Sequence, residues 1–583
     1  MSYILGINAF HGNSSACILK NNEIVFAIEE ERINRIKNWS GFPSESIRMC
    51  LNHVNKELNE IKCIAINRNS RANLKEKIFF SIKNFNNLKY AINKSKNLIK
   101  LNKIEDYFLK EFNITTIKPK IIFIDHHLAH LSSSYLTSNF KKSAMLSLDG
   151  FGDFTSCAIG FGDDDYLNIK HRVYYPHSLG ILYQSITQML GFKNYGDEYK
   201  VMGMSALGNN NFEKHFQKIV TIKDWNYKLN ENFFSYFKNG LNFNFNNVKP
   251  TFPRLYNNNM VNLFGINKKN IYHQQLKADI ACSLQVTFEN ALFSTLRYMK
   301  KNFNSNNLSY SGGCAMNSLA NGKILQNTNY KNLSIHPASY DAGGAIGAAA
   351  YAYLKYYKKK IIIKSNYLGP SYTNLEVKNI IEANKLSTKF NVVFKNSDNQ
   401  IIEFIIKKIK KKKIIGLFRG RLEWGARSLG NRSIIADPRG KNIKDIINKK
   451  IKLRETFRPF APSILLSHAK KWFKFDKIKE VSTMMQVLKF KKNVGKITPA
   501  IRHADNTGRL QTVKKGDNKF YYDLLAQFYK ETNIPLLLNT SFNIQEPVVC
   551  TPLDAIKCFK KSNMDYLIIE NFIITKKDDR FHK

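Results

Sequence analysis

Apolar runs of strand length, broken by short polar loops, open the chain. Residues 2–10 (SYILGINAF) run into the loop HGNSS, and residues 16–32 (ACILKNNEIVFAIEEER) return through an Asn-Asn turn. Residues 143–169 repeat the plan with SAMLSLDGFGD followed by FTSCAIGFGDDDYLNI. Each copy is an apolar strand, a Gly-containing polar loop and a returning strand. Two copies predict a duplicated α/β fold that holds a nucleotide between its halves. Residues 71–117 are Lys-rich with helical spacing, and residues 209–270 are rich in Asn and Phe with weak patterning. Both stretches read as inserts or lids. GGAIGAAAYAYLKYY predicts a small-residue helix ending near Lys358, with the linker KKKIIIKSNYLGPSY after it. Residues 373–413 then predict helices and residues 414–418 a buried strand. The expected organisation is a first domain over 1–362, a second over 363–575 and a charged tail over 576–583.

Composition narrows the class. At about 100–200 residues per domain, 583 residues exclude a small binding module. No run approaches the ~18 uninterrupted apolar residues of a membrane span, and the first residues lack a signal-peptide layout. A cytoplasmic chain with no membrane partner is expected. The eight cysteines contain no C-x-x-C pair and read as reduced core thiols. Lys+Arg outnumber Asp+Glu by 90 to 45, a formal charge of +45. The excess is mostly Lys, accompanies much Asn and Ile, and is spread along the chain without an aromatic-interleaved stripe. That pattern predicts a solvated basic surface favouring small anionic substrates, with no nucleic-acid partner.

Three constellations carry chemistry. In IDHHLAH, His126 and His130 are four apart, so on a helix both imidazoles leave one face. His127, three before His130, competes for the role. Asp149 ends the apolar strand MLSLDG, and Asp341 begins DAGGAIGAA just before a helix. Two His and two Asp make a mixed N/O metal site, favouring Fe(II), Mn or Mg over structural zinc. In SGGCAMNS, Gly312 and Gly313 permit close backbone approach, and Asn317 offers an amide to a ribose or base. The DAGGAIG turn suits a phosphate at a helix N-terminus. In the second domain, Arg419, Arg421, Arg427, Arg432, Arg439, Arg454, Arg458 and Arg509 stand among Gly, Pro and apolar residues, with Lys452, His503, Ser541 and Asn543 nearby. Guanidinium forks hold phosphate and carboxylate bidentately. Ion pairs with Glu423, Asp437 and Glu455 are expected to absorb some of these arginines but not all.

From LGINAFHGNSSA to NTSFNIQEPVV, these motifs resemble the O-carbamoyltransferase family, which includes the nodulation-protein-U type and the tobramycin and cephalosporin carbamoyltransferases. The resemblance implies an actin/Hsp70/sugar-kinase-like (ASKHA) first domain, similar to the tRNA threonylcarbamoyl-adenosine transferase fold with its H-x-x-x-H iron site. It implies a YrdC-like second domain, with Lys452-Leu453-Arg454 as the K-x-R pattern and Ser541-Phe542-Asn543 as the S-x-N pattern.

By the same resemblance, Arg427, Lys452, Arg458 and Arg509 bind carbamoyl phosphate, and Asn539 and Ser541 lie near ATP, with Arg454, His503 and Asn543 accompanying them. Mg²⁺ assists at the triphosphate, and the product is carbamoyl-adenylate. Gly313 and Asn317 then cradle the adenylate, and His126, His130, Asp149 and Asp341 hold the metal. His11 serves as base for a small-molecule hydroxyl acceptor, a sugar or glycoconjugate. Asp197, Glu198 and Lys200 line the acceptor side. Asn8, where sugar kinases often place an Asp, argues against plain γ-phosphoryl transfer. Two alternatives are tRNA threonylcarbamoylation and a non-catalytic nucleic-acid-binding role.

Overall fold

The structure, a computed structural model, describes residues 2–83, 103–241, 250–267, 273–492 and 494–577. The chain divides into two compact units, Met1–Lys364 and Ser365–Lys583.

In the first unit, β1 (Tyr3–Asn8), β2 (Ser15–Lys20), β3 (Glu23–Glu29), β4 (Cys63–Ile66) and β5 (Lys120–Phe123) form a sheet of order β3-β2-β1-β4-β5. β6 (Lys142–Gly152), β7 (Thr155–Asp163) and β8 (Tyr166–Tyr174) follow, then a ribbon of β9 (Val220–Lys223) and β10 (Asn226–Leu229). β11 (Asn307–Ser311) and β12 (Asn332–Ile335) complete a second sheet of order β12-β11-β6-β7-β8. The two orders coincide when read outward from β1 and β6. Each central strand pairs antiparallel with the strand after it and parallel with a later one. β1 is buried at every position, as expected for a central strand covered on both faces.

Four helices matter for the site: α1 (His126–Tyr135), α2 (Glu198–Met204), α3 (Gln274–Asn302) and α4 (Gly343–Tyr357). The small residues of α4 let its backbone press onto its neighbours. A Cβ on Gly347 would meet the Ala129 carbonyl oxygen of α1 at 1.8 Å. This contact brings the turn before α4, where Asp341 sits, to the N-terminal end of α1.

Both stretches expected as lids contribute to the core. Phe108, in the helix Ile104–Phe112, is buried edge-on against Phe42 at 5.0 Å, and the Tyr107 ring lies 4.9 Å from Phe10. Residues 84–102 of that stretch lie outside the described residues. Within 209–270, Phe216, Tyr227, Phe234, Tyr236 and Met260 are buried. These elements are only four to seven residues long, too short to show a period along the sequence. Residues 242–249 and 268–270 of this stretch, and 578–583 of the expected tail, are not among those described.

The second unit is built on a mixed sheet. Its strands are β13 (Phe390–Phe394), β14 (Ile415–Phe418), β15 (Arg432–Ala436), β16 (Ala461–Leu465), β17 (Gln486–Lys489), β18 (Thr507–Val513), β19 (Leu536–Ser541), β20 (Tyr566–Ile569) and β21 (Phe572–Lys576). Their order is β13-β21-β20-β14-β15-β19-β16-β18-β17. The helix Asp398–Lys410 buries Ile401, Ile402, Ile405, Ile406 and Ile409 on one face and turns lysines to solvent. Residues 373–413 also include β13, which the helical spacing around it hides. Among the described residues no helix is long and apolar enough to cross a membrane, and no disulfide joins the eight cysteines.

Candidate metal centre and anion cradle

The N-terminal end of α1 is fixed before it offers any ligand. The Asp125 carboxylate accepts the Leu128 N–H at 2.9 Å as the N-cap. The Asp153 carboxylate accepts the His126 N–H at 2.9 Å and the Asn69 N–H at 2.8 Å. Gly152 admits the His126 ring, since a Cβ there would stand 2.0 Å from its Cδ2. With the helix so held, the i,i+4 spacing brings His126 Nε2 and His130 Nε2 to 3.0 Å.

Asp149 stands where β6 leaves its ladder with β7 after Leu148. Its Oδ2 lies 3.1 Å from His126 Nε2 and 3.7 Å from His130 Nε2, and its Oδ1 accepts the Gly313 N–H at 2.7 Å. Asp341 Oδ1 lies 3.5 and 3.6 Å from the same two nitrogens. The backbone beside Asp341 is tied on both sides. The Tyr340 hydroxyl donates to Glu29 at 2.8 Å, and Ser15 Oγ donates to the Ala342 carbonyl at 2.9 Å.

These four buried donors lie within 4.8 Å of one another. Ligands of one octahedral ion at about 2.1 Å stand about 3 Å apart, so the set fits a divalent cation. The polar atoms agree, because Asp341 Oδ1 is buried with no hydrogen-bond donor in the protein. The electrostatics agree as well. Burial disfavours a charged His130, yet the carboxylates of Asp149 and Asp341 beside it raise it to about 9. Burial likewise opposes the Asp149 carboxylate, and His126 and His130 nevertheless hold it well below its usual range. The cluster is a place that demands positive charge.

His127 does not compete as a ligand. Its Nδ1 lies 2.8 Å from Ser147 Oγ and its Nε2 2.9 Å from the Thr155 carbonyl, and burial pushes it down to about 3. His11 joins the centre through Asp341, donating its Nδ1–H to Oδ2 at 2.8 Å. Asn8 shapes that loop by donating to the Gly12 and Asn13 carbonyls at 3.0 and 2.9 Å.

Sequence reasoning missed Tyr195, whose hydroxyl donates to the same Asp341 Oδ2 at 3.3 Å. Its only signal was its place beside GDEYK. It also missed Gln285 of α3, and this changes the picture of Asn317. The Asn317 amide donates to Gln285 Oε1 at 2.9 Å, while its oxygen accepts from Gln285 Nε2 and the Ala320 N–H at 3.1 Å each. Asn317, expected to meet a ribose or base, also clamps this turn to α3.

Of the three residues expected on the acceptor side, Asp197 and Lys200 pair with each other at 3.0 Å. Glu198 opens α2, and burial, helped by Asp197, pushes its carboxyl up to about 7.

In the second unit the arginines fall into two groups. Arg419 donates to Asp398 and Asn571 at 2.8 and 3.2 Å, and Arg421 to the Leu368 and Gly369 carbonyls at 2.6 and 3.0 Å. Arg432 donates to the Arg419 and Asn431 carbonyls at 2.9 and 3.1 Å, and Arg439 binds Asp437 at 2.6 Å. These four hold the fold.

The other four converge. Burial, then the charges of Arg427, Arg454 and Arg458, drives Arg509 well below the ordinary arginine value. Its Nε–H is buried with no acceptor in the protein. Beside it, burial pushes His503 down to about 4. Glu455 stands 3.7 Å from Arg458, whereas Glu423 accepts the backbone N–H groups of Leu429, Asn431 and Arg432. Four like charges thus bear on one another in this part of the second unit.

Lys452 and Asn539, expected to meet carbamoyl phosphate and ATP, are both engaged by protein groups. The Lys452 ammonium is buried against the Ser541 carbonyl, Ser541 Oγ at 3.2 Å, the Asn543 carbonyl at 2.9 Å and Asn543 Oδ1 at 2.7 Å. Asn539 is 1% exposed, and its amide donates to the Ser428 carbonyl, Ser463 Oγ and Gln511 Oε1.

Comparison with known proteins matches both units. Family models described as "Carbamoyltransferase N-terminus" and "Carbamoyltransferase C-terminus" match residues 3–350 and 406–576. The uncharacterized protein sll1178 of Synechocystis is 32% identical over 99% of this chain and 97% of its own length. Nodulation protein NolNO of Sinorhizobium fredii is 31% identical over 98% of this chain and 80% of that protein. Among solved structures, component A of Acidaminococcus fermentans (R)-2-hydroxyglutaryl-CoA dehydratase matches with a TM-score of 0.34 and 14% identity, covering 61% of this chain and 99% of that chain. With both halves matched in order and relatives aligned along nearly their whole length, the chain belongs to the carbamoyltransferase family and is a carbamoyltransferase.

Proposed function

We propose that the protein is an ATP-dependent O-carbamoyltransferase, with an ASKHA-type first unit that transfers the carbamoyl group and a YrdC-like second unit that activates it. In the second unit, water cleaves carbamoyl phosphate to carbamate and inorganic phosphate. A carbamate oxygen attacks the α-phosphorus of ATP, and pyrophosphate departs, leaving carbamoyl-adenylate. The demand on the protein is to hold two polyanions together, and the convergence of Arg427, Arg454, Arg458 and Arg509 meets it. Lys452 builds the wall by fixing Ser541 and Asn543, and Asn539 supports it from the core. Mg²⁺ accompanies ATP.

In the first unit, His126, His130, Asp149 and Asp341 would hold Fe(II) or another divalent cation. Such an ion supplies Lewis-acid stabilisation for the charge that develops on the leaving adenylate. The chain's own contribution is proton handling. Asp341 takes the Nδ1–H of His11, which fixes the tautomer with its basic lone pair on Nε2. That nitrogen removes the proton of the acceptor hydroxyl as its oxygen bonds to the carbamoyl carbon and AMP leaves. Gly313, tied to Asp149, keeps the adenylate-side turn against the centre. The acceptor is a small-molecule hydroxyl, of a sugar or glycoconjugate, in keeping with relatives named nodulation proteins.

The observation that carries this reading is the 2.8 Å contact of His11 with a carboxylate that also faces the two histidines. The test is incubation with ATP and carbamoyl phosphate. Release of pyrophosphate that depends on carbamoyl phosphate supports the reading. Release that requires threonine and bicarbonate instead would replace it with threonylcarbamoyl transfer.

A further inference from the structure

Each of the two carboxylates at the candidate metal centre divides its oxygens. Asp149 turns Oδ2 toward His126 and His130 and gives Oδ1 to the Gly313 N–H. Asp341 turns Oδ1 toward the same two nitrogens and gives Oδ2 to two side chains, His11 at 2.8 Å and Tyr195 at 3.3 Å. The donor to Asp149 is part of the main chain. The donors to Asp341 hang on rotatable bonds, so whatever seats them decides how that carboxylate stands.

Tyr195 is well seated. It lies between the helix Leu179–Met189 and α2, far along the chain from His11. Its carbonyl accepts from Asn38 Nδ2 at 3.0 Å. Asn38 is held in turn, because its N–H donates to Glu31 at 2.6 Å and its Oδ1 accepts from Asn13 of the His11 loop at 3.2 Å. Directly after Tyr195, Gly196 at φ 82° turns the chain into α2, a conformation that favours glycine. The ring crosses to the His11 loop and covers Gly12. A Cβ on Gly12 would stand 2.5 Å from the tyrosine hydroxyl oxygen and 2.8 Å from Cζ. The bare backbone there is what lets the hydroxyl reach Asp341.

We propose that Tyr195 is a positioning residue of the metal centre: with His11 it occupies Oδ2 of Asp341, and so keeps Oδ1 alone turned to the cation. The inference rests on the metal reading above and deepens it. A carboxylate turns about its Cβ–Cγ bond, and a divalent cation can draw in one oxygen or both. Turning Asp341 to offer both would take Oδ2 from His11. A single donor on Oδ2 leaves that rotation open. Two donors from different loops, one on each lone pair of the same oxygen, fix the plane of the group. A phenol suits this task because it donates a hydrogen bond without adding charge. Outer partners of this kind set the orientation of metal ligands.

The test uses the full-length protein, freed of metal by a chelator and titrated with Co(II), whose visible absorption reports its ligands. The parent binds one Co(II) per chain. Tyr195→Phe keeps the ring over Gly12 and deletes only the hydroxyl. Its Kd for Co(II) rises on the order of 10- to 100-fold, and the visible bands change as Asp341 turns, while the metal-free protein melts as the parent does. A merely structural role would move the melting curve and leave the bands of bound Co(II) as they were. In an Asp341→Ala background the same substitution does not raise the Kd further, because no carboxylate remains to be oriented.

An unchanged Kd or unchanged bands in Tyr195→Phe, or a full additional loss in the Asp341→Ala background, overturns the inference while leaving the metal centre intact. Failure of the parent to bind Co(II) overturns the metal reading and the inference with it. If melting shows Tyr195→Phe to be poorly folded, Gly12→Ala serves instead. It keeps the hydroxyl but sets a methyl 2.5 Å from it, which drives it off Asp341, and the same rise in Kd and change of bands are expected.

Discussion

His11 and Tyr195 both donate to one oxygen of Asp341, at 2.8 and 3.3 Å, while the other oxygen of that carboxylate faces His126 and His130. One carboxylate thus faces His11 on one side and the His126–His130 pair on the other. On the proposed reading this separates proton removal from metal retention, and the two can be measured apart.

His11→Ala leaves all four metal donors in place. Loss of a positioned general base costs about 10²- to 10⁴-fold, so carbamoyl transfer to the acceptor falls by that factor while pyrophosphate release is unchanged. Metal analysis of the variant shows an ion still bound when metal is supplied. A variant with full transfer activity would remove His11 from the mechanism.

His130→Ala takes away a buried nitrogen that stands within 3.7 Å of Asp149, Asp341 and His126. Metal content measured by elemental analysis drops and acceptor transfer is lost, while pyrophosphate release from ATP and carbamoyl phosphate persists. Equal loss of both half-reactions would show that the units do not divide the chemistry in this way.

The gathering of His126, His130, Asp149 and Asp341 was legible in the sequence because its first pair depends on local periodicity. His126 and His130 are one helical turn apart, and a histidine pair at that spacing declares a shared face. Tyr195 was not legible, since it meets Asp341 across 146 positions of chain through a loop hydroxyl. Gln285 was hidden for the same reason, being an amide on a long helix whose partner Asn317 lies in a distant turn. The arginines were legible as a group but not individually. Whether a guanidinium ends on a backbone carbonyl, as Arg421 does, or beside three like charges, as Arg509 does, is decided by strand pairing that spacing does not encode. The duplicated sheets were readable from their strand–loop–strand repeats. The core formed by the Asn- and Phe-rich stretch was not, because its elements are too short to show a period.

Arg509→Ala removes the guanidinium on which the other three bear. Loss of one preorganised donor at a developing charge costs about 10²- to 10³-fold, so pyrophosphate release falls at least that far while metal content is untouched. Arg509→Lys fails to restore it, because an ammonium cannot reproduce the fork. Restoration by lysine would show that the residue supplies only charge.

Glu198 gives a stability prediction with a definite sign. Burial raises its carboxyl from 4.5 to about 7. Between those values the unfolded chain has released a proton that the folded chain retains, so unfolding releases protons and stability falls as pH rises. The loss begins near the unfolded value and is complete once pH passes the folded one. At pH 8 the folded protein carries a largely buried charge that opposes folding, by about 3 kcal/mol at most. Glu198→Gln removes that charge but closely resembles the protonated acid. Melting curves should therefore show the variant more stable than the parent at pH 8 and nearly equal to it near pH 4. A gain of the same size at both pH values would mean that the amide stabilises α2 by other contacts and that the carboxyl titrates normally.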